Sequence, residues 1–209
     1  MTSAIGSYAT PTALKSRLGI TEVTYDSLLG TFCDQVNQYI ETKTGRVLAP
    51  ITSAVYYYDG DGSDSLYLPR PASGPPIGGL RAITTLDLAY YTGSAYVSTP
   101  TTEVFLRQQV GMTGPYERLA FTDFPRAGFT YFPRGYNTVK VTATAGWAAI
   151  PDEVTDVALT AAGRAWYARQ SGQQDIVGTD EHGVALVSRF FSPKDLGVLR
   201  TYSLAESLA

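Results

Sequence analysis

Apolar residues recur along this chain with two different periods, and the change between them marks its organisation. From residue 24 to 44, Leu28, Leu29, Phe32, Val36 and Ile40 return at steps of three and four, the spacing of one helical face. Asp34, Gln35, Gln38, Glu41 and Lys43 fall on the opposite face, and Gly45 supplies a stop. The pattern predicts a long helix that packs on one side. A shorter helix is expected before it, with Thr10 as N-cap, Pro11 in the first turn, Leu14 and Leu18 on one face and Gly19 as terminator.

From about residue 54 to 145 the period shortens to two. β-Branched and aromatic runs, cut by Gly, Pro and Asp, predict strands at 55–58, 65–68, 80–91, 95–97, 104–106, 118–122 and 138–145. Their spacing suggests hairpins, hence an antiparallel sheet or small barrel. The stretch 69–79 holds four Pro and three Gly, so it is expected to be an exposed loop. Residues 111–115 form a second turn-rich tip.

The helical period returns at Pro151, followed by Asp152 and Glu153, whose charge suits the start of a helix. Val154, Val157, Ala158, Ala161, Ala162 and Ala165 form a small-residue face ending at Trp166, which a partner helix can approach closely. Residues 172–183 read as polar and mobile. Ser192, Pro193 and Asp195 then make a capping box opening a short helix with Leu196 and Leu199. The fold class expected is α+β: a small helical bundle, 24–44 on 151–170, interrupted by a large antiparallel β insertion and closed by a short C-terminal helical arm. The parts divide at 1–50, 51–146 and 147–209.

Composition narrows the function. Among 209 residues only 17% are charged, against roughly 25% in an average soluble domain, and 16 basic residues face 19 acidic ones for a net charge of −3. No basic field is present to grip nucleic acid. The aromatic residues are mostly Tyr, 15 against eight Phe and two Trp, a ring type suited to half-wet surfaces and interfaces. Only Asp87 is charged between Ala82 and Thr102, and only Arg134 and Lys140 between Ala127 and Pro151. The charge shortfall therefore lies in the β region, where neighbours would sit.

Chemical motifs are scarce. Cys33 is alone and sits in an apolar helical pattern, which reads as a buried thiol. Asp59, Asp61, Ser63, Asp64 and Ser65 begin like a calcium loop, but the sixth position is Asp64 instead of Gly and the twelfth is Arg70 instead of Glu. A hairpin turn between 55–58 and 65–68 is the better reading. His182, the only histidine, follows Asp180 and Glu181 in a polar stretch that reads as too flexible to hold catalytic geometry, and it reads as an ordinary exposed histidine. No phosphate loop, dinucleotide fingerprint, nucleophile elbow or His-Glu-x-x-His motif occurs. These absences point away from an enzyme and from any cofactor or metal. The run Tyr56, Tyr57, Tyr58 leaves open a carbohydrate- or ligand-binding β module. Nothing in the first 15 residues resembles a secretory signal, and no stretch approaches the roughly 20 apolar residues of a membrane span.

The order of signals resembles a known family. A short Leu-x-x-x-Leu helix ending in Gly19 and Ile20 precedes a long helix closing through Ile40, Glu41, Thr42, Lys43, Thr44, Gly45 and Arg46. A Tyr-Asp-Gly-Asp-Gly turn at 58–62 follows, with Leu66, Leu68 and Pro69 behind it. The run from Tyr136 through Val139, Val141, Ala143 and Ala145 enters Gly146 and Trp147, and Ile150, Pro151, Asp152 and Glu153 open the Ala-rich helix ending in Tyr167, Ala168 and Arg169. Over roughly half the chain this is similar to the head-tail connector (adaptor) proteins of tailed bacteriophages and prophages.

The resemblance implies a virion protein, assembled in the host cytoplasm, that forms a ring, usually of twelve subunits, beneath the portal. It would extend the DNA channel and present a platform to the stopper or tail-completion protein, with DNA passing through without sequence-specific binding and with no membrane partner. A tail-completion protein or another virion structural protein is a neighbouring possibility. On this reading the arm at 189–202, exposing Phe190, Phe191, Leu199, Arg200 and Tyr202, is the expected portal contact. Tyr57, Pro75, Pro76, Met112 and Tyr131 are the expected contacts with the next subunit or ring.

Overall fold

The computed structural model describes residues 6–68, 71–72, 77–107, 115–122, 129–170, 176–179, 185–187 and 190–203, with backbone alone at 176–179 and 185–187. The chain divides into two compact units, Met1–Thr44 with Ile150–Ala209, and Gly45–Ala149. The fold is α+β, as the two periods predict.

The first unit is helical. In α1 (Pro11–Leu18) the Thr10 hydroxyl accepts from the Ala13 N–H at 3.2 Å, and Gly19 ends the helix in the left-handed region at φ 67°. One turn of 3-10 helix at Val23–Tyr25 leads into α2 (Asp26–Thr44), which buries Leu29, Cys33, Val36, Asn37, Ile40 and Thr44. Leu28 and Phe32 of the predicted stripe are only half-buried. The buried arc is rotated toward Asn37, whose carboxamide accepts from the Ala9 N–H (2.8 Å) and donates to the Ala9 carbonyl (3.1 Å), binding the N-terminal segment to the helix. Hydrogen bonding on both sides is what lets an amide sit in this core.

Helix α3 (Asp152–Gln170) buries Val154, Val157, Ala158, Ala161, Ala162, Gly163, Ala165 and Trp166 and packs on α2, as the small-residue face requires. The Tyr25 ring meets Trp166 edge-on, with centroids 5.0 Å apart. Pro151 lies just before the helix, its carbonyl accepting from the N–H groups of Val154 and Thr155. Two short strands, β8 (Ile176–Thr179) and β9 (Ala185–Val187), pair antiparallel, the first of them inside the stretch 172–183 that was expected to be polar and mobile. Helix α4 (Pro193–Thr201) packs on both α2 and α3.

The second unit is two antiparallel sheets around one core. The larger has the order β1 (Ile51–Gly60), β7 (Gly135–Ala145), β3 (Leu80–Ala89), β4 (Tyr96–Thr99), and the smaller has the order β2 (Ser65–Tyr67), β6 (Arg118–Phe121), β5 (Val104–Arg107). Tyr56, Tyr58, Leu66, Leu86, Leu88, Leu119, Phe132, Val139 and Val141 meet in that core. The inward–outward alternation of the strands supplies it.

Two expectations change here. The Asp/Gly turn does not close a hairpin, because β1 pairs with β7 and β2 pairs with β6, so residues 61–64 turn a corner between sheets. Strand β7 carries the longest alternating apolar run and takes a partner on each edge, β1 and β3, while β2 pairs with β6 of the other sheet. Nor is the whole Pro/Gly stretch an exposed loop: Ile77, Gly78 and Gly79 are buried, and the Ala72 N–H donates to the Tyr57 carbonyl at 2.7 Å. Gly79 has φ 119°, and a Cβ there would lie 2.3 Å from the Tyr116 carbonyl oxygen, so no other residue fits.

Candidate assembly surfaces

In the helical unit the feature of interest is the segment carrying α4. Its capping box is complete: the Ser192 hydroxyl accepts from the Asp195 N–H, and the Asp195 carboxylate accepts from the Ser192 N–H at 2.8 Å. Asp195 also accepts from the Arg164 guanidinium of α3, and Arg164 donates to the Phe190 carbonyl at 3.0 Å. Burial by itself raises the Asp195 pKa, but the hydrogen bonds from Arg164 and Ser192 outweigh it and leave the carboxyl below its ordinary value. At the other end of α4 the Tyr202 hydroxyl donates to the Glu153 carboxylate at 3.2 Å.

Apolar contacts complete the docking. Phe191 stacks on Tyr39 of α2 with centroids 4.3 Å apart and planes 18° from parallel, and Leu199 is fully covered. The expectation that the arm exposes both side chains is therefore corrected. Their area is spent on the arm's own unit, because a nine-residue helix cannot hold itself in place without an apolar face against neighbours. Phe190 and Arg200 are the exposed members of the set, and Tyr202 is half-buried. Beside the stack lies an open groove of about 580 Å3 lined by Phe32, Gln35, Val36, Tyr39, Phe190 and Leu196.

In the β unit the outer face of the four-stranded sheet is polar and aromatic. Tyr57, Lys140 and Asp87 are opposite one another on three adjacent strands. Lys140 Nζ lies 3.3 Å from the Asp87 carboxylate and 5.7 Å above the Tyr96 ring, and the Tyr57 and Tyr96 rings are 6.4 Å apart. One end of the same sheet gathers exposed tyrosines. Tyr90 and Tyr91 follow β3, and Tyr136 lies at the start of β7 with Tyr131 shortly before it. All four are more than half exposed, Tyr136 at 75%. The ends are tied together: the Tyr136 N–H donates to the Thr92 hydroxyl at 3.0 Å and the Asn137 N–H to the Asp59 carboxylate at 2.7 Å. Exposed rings gathered at one end of a sheet are candidates for contact with another chain.

Of the expected contact residues, Tyr57 is half-buried against Tyr96 and Tyr131 is exposed at the tyrosine-bearing end, while Pro75, Pro76 and Met112 lie outside the described residues. Sequence reading passed over Tyr136, because period-two patterning assigns a strand residue to a face without saying which strands meet at that end.

Chemistry is sparse. Cys33 is buried, and burial, aided by Asp34, pushes its thiol up to about 11. The Asp61 carboxylate accepts from both the N–H and the hydroxyl of Ser63, which closes the corner and lowers its pKa. Among the described residues no cluster of three His, Cys, Asp or Glu side chains is arranged to hold a metal, and no helix is long and apolar enough to cross a membrane. His182 lies outside the described residues.

No family model matches the sequence, and no curated protein matches it. Among solved structures the chain is similar to one described as "Neck of empty GTA particle computed with C6 symmetry". The identity is 15%, the TM-score is 0.55, and the match covers 97% of this chain and 93% of that one.

Proposed function

We propose that this chain is a structural adaptor of a phage head-tail connector, a non-catalytic subunit that closes into a ring beneath a portal. The ring extends the DNA channel and offers a platform to a stopper or tail-completion protein, and the chain resides in the virion. The observation that carries this reading is the fold likeness to a particle neck along nearly the whole chain, helical and β units together. It agrees with the family resemblance in the order of sequence signals. A ring of twelve is a multiple of the six-fold symmetry named for that neck.

The two candidate surfaces take different roles in this reading. Phe190, Arg200 and Tyr202 meet the portal, while Phe191 and Leu199 hold the arm in position. Tyr57, Tyr131 and the exposed tyrosines at the sheet end, with the stretches holding Pro75, Pro76 and Met112, meet the next subunit or ring. A sugar-stacking reading of the tyrosine run is weakened, since Tyr56 and Tyr58 point into the core.

Imaging the purified chain with and without the portal of the same particle tests the proposal. Rings seated at one end of the portal are expected, with attachment weakened in the F190A/R200A variant. No attachment by the wild-type chain contradicts it.

A further inference from the structure

The outer face of the small sheet carries an arrangement that a lone domain would avoid. Arg107 of β5 and Arg118 of β6 are directly opposite one another in the antiparallel register, so their guanidiniums leave the same face of adjacent strands. Like charges in that position oppose strand pairing. Both residues are exposed, and among the described residues neither has a carboxylate partner. Glu117, the nearest acid in sequence, is buried and turned to Arg46 at 3.6 Å. The pair is supported from its own side of the sheet: Arg107 lies 4.5 Å from the centroid of the Phe105 ring, and Tyr67, 45% exposed, is opposite Arg118 on β2.

Charge is also divided between the units. Residues 45–149 hold eight Arg and Lys against seven Asp and Glu, a net +1, whereas the rest of the chain holds eight against twelve, a net −4. In the helical unit Asp152 and Glu153 open α3 side by side and exposed. Neither is in an ion pair among the described residues, Glu153 accepting only from Tyr202.

We infer that Arg107 and Arg118 form the docking site for the acidic start of α3, Asp152 and Glu153, of a second copy of this chain. Charge complementarity selects that occupant: the chain supplies both a cationic pair on one unit and an exposed acidic pair on the other. Two different patches that fit each other make a head-to-tail contact, which closes into a ring when the rotation permits. Guanidiniums held side by side recognise carboxylates through charge-assisted hydrogen bonds, and such pairs fix register and partner choice. The inference rests on the ring reading above and names the contact that would build it.

Native mass spectrometry of the full chain across a concentration and salt series tests it. Closed oligomers are expected for the wild type, weakening as salt rises. In R107Q/R118Q the concentration needed for assembly should rise by about tenfold or more, because both cations of each interface are lost. R107E/R118E and D152R/E153R should each remain monomeric, and an equimolar mixture of the two should recover paired species. Circular dichroism melts confirm that each variant is folded, and R107Q/R118Q serves if a reversal variant is not. Wild-type oligomers that persist unchanged in R107Q/R118Q overturn this contact and leave the ring reading standing. Variants that assemble normally but lose retention of double-stranded DNA assign the arginines to nucleic acid and likewise overturn it. A wild-type chain monomeric at every concentration, alone and with portal, overturns both.

Discussion

Phe190 and Phe191 are adjacent in sequence, and the structure sends them to opposite environments. Phe191 stacks on Tyr39 and is 7% exposed, whereas Phe190 is 45% exposed at the mouth of the groove. Removing a buried ring leaves a cavity as well as losing its transfer energy, so Phe191→Ala should cost about 3 kcal/mol or more in a denaturant melt. Phe190→Ala should stay within about 0.5 kcal/mol. Equal effects would show that the arm is not docked. Asp195 gives a second residue-scale expectation. Its pKa is lowered in the folded state, so its stabilising contribution is complete above the unfolded value of about 3.9 and is lost as pH falls through the folded one. The acid limb of wild-type stability below about pH 4 should therefore be shallower in Asp195→Asn, which urea midpoints at several pH values would measure. At this scale the sequence was legible wherever the interaction is local. The Thr10 cap, the Ser192 and Asp195 box, the Gly19 stop and the buried Cys33 follow from neighbours within four residues. The fate of Phe191 was not, since Tyr39 reaches it from across the chain.

Elements repeat that division. The helices and most strands stand within a few residues of their expected bounds, because period and punctuation are properties of short windows. Pairing is not. The corner at 61–64 resembles a hairpin turn, yet β1 and β2 belong to different sheets, because their partners, β7 and β6, come from far along the chain. The pair β8 and β9 was not among the expected strands, since the polar residues and glycines around Ile176 and Val177 leave no alternating run there. Gly146 gives an element-scale prediction. It ends β7 at φ 69°, and a Cβ would stand 2.1 Å from the Ala49 carbonyl oxygen. Gly93, at φ 84°, has nothing within 4 Å of the same position. Gly93→Ala should cost about 1 kcal/mol from backbone conformation alone, and Gly146→Ala about 2 kcal/mol more because the backbone must move. Thermal melts of the two variants compare them directly, and equal costs would argue against the close approach of Ala49 and Gly146.

At the scale of the whole molecule, the low charge content acquires a location. The Asp87–Lys140 pair neutralises itself on the outer sheet face, four exposed tyrosines stand at the end of that sheet, and Arg107 and Arg118, without a carboxylate partner among the described residues, stand on the other sheet. A monomer gains little from any of these, whereas a subunit with neighbours on two sides and partners above and below uses each of them. A fold like that of a particle neck was legible because helix ends and turn residues keep their order along the chain. The exposed tyrosines were only partly legible as a group, because strand pairing, not spacing, brings Tyr90 and Tyr136 to one end of the sheet. The most direct measurement of the proposed role is electron microscopy of this chain mixed with the portal protein of the same particle. A closed ring of this chain, coaxial with the portal and covering one of its ends, is the expected result. A chain that stays monomeric and leaves the portal bare would contradict it.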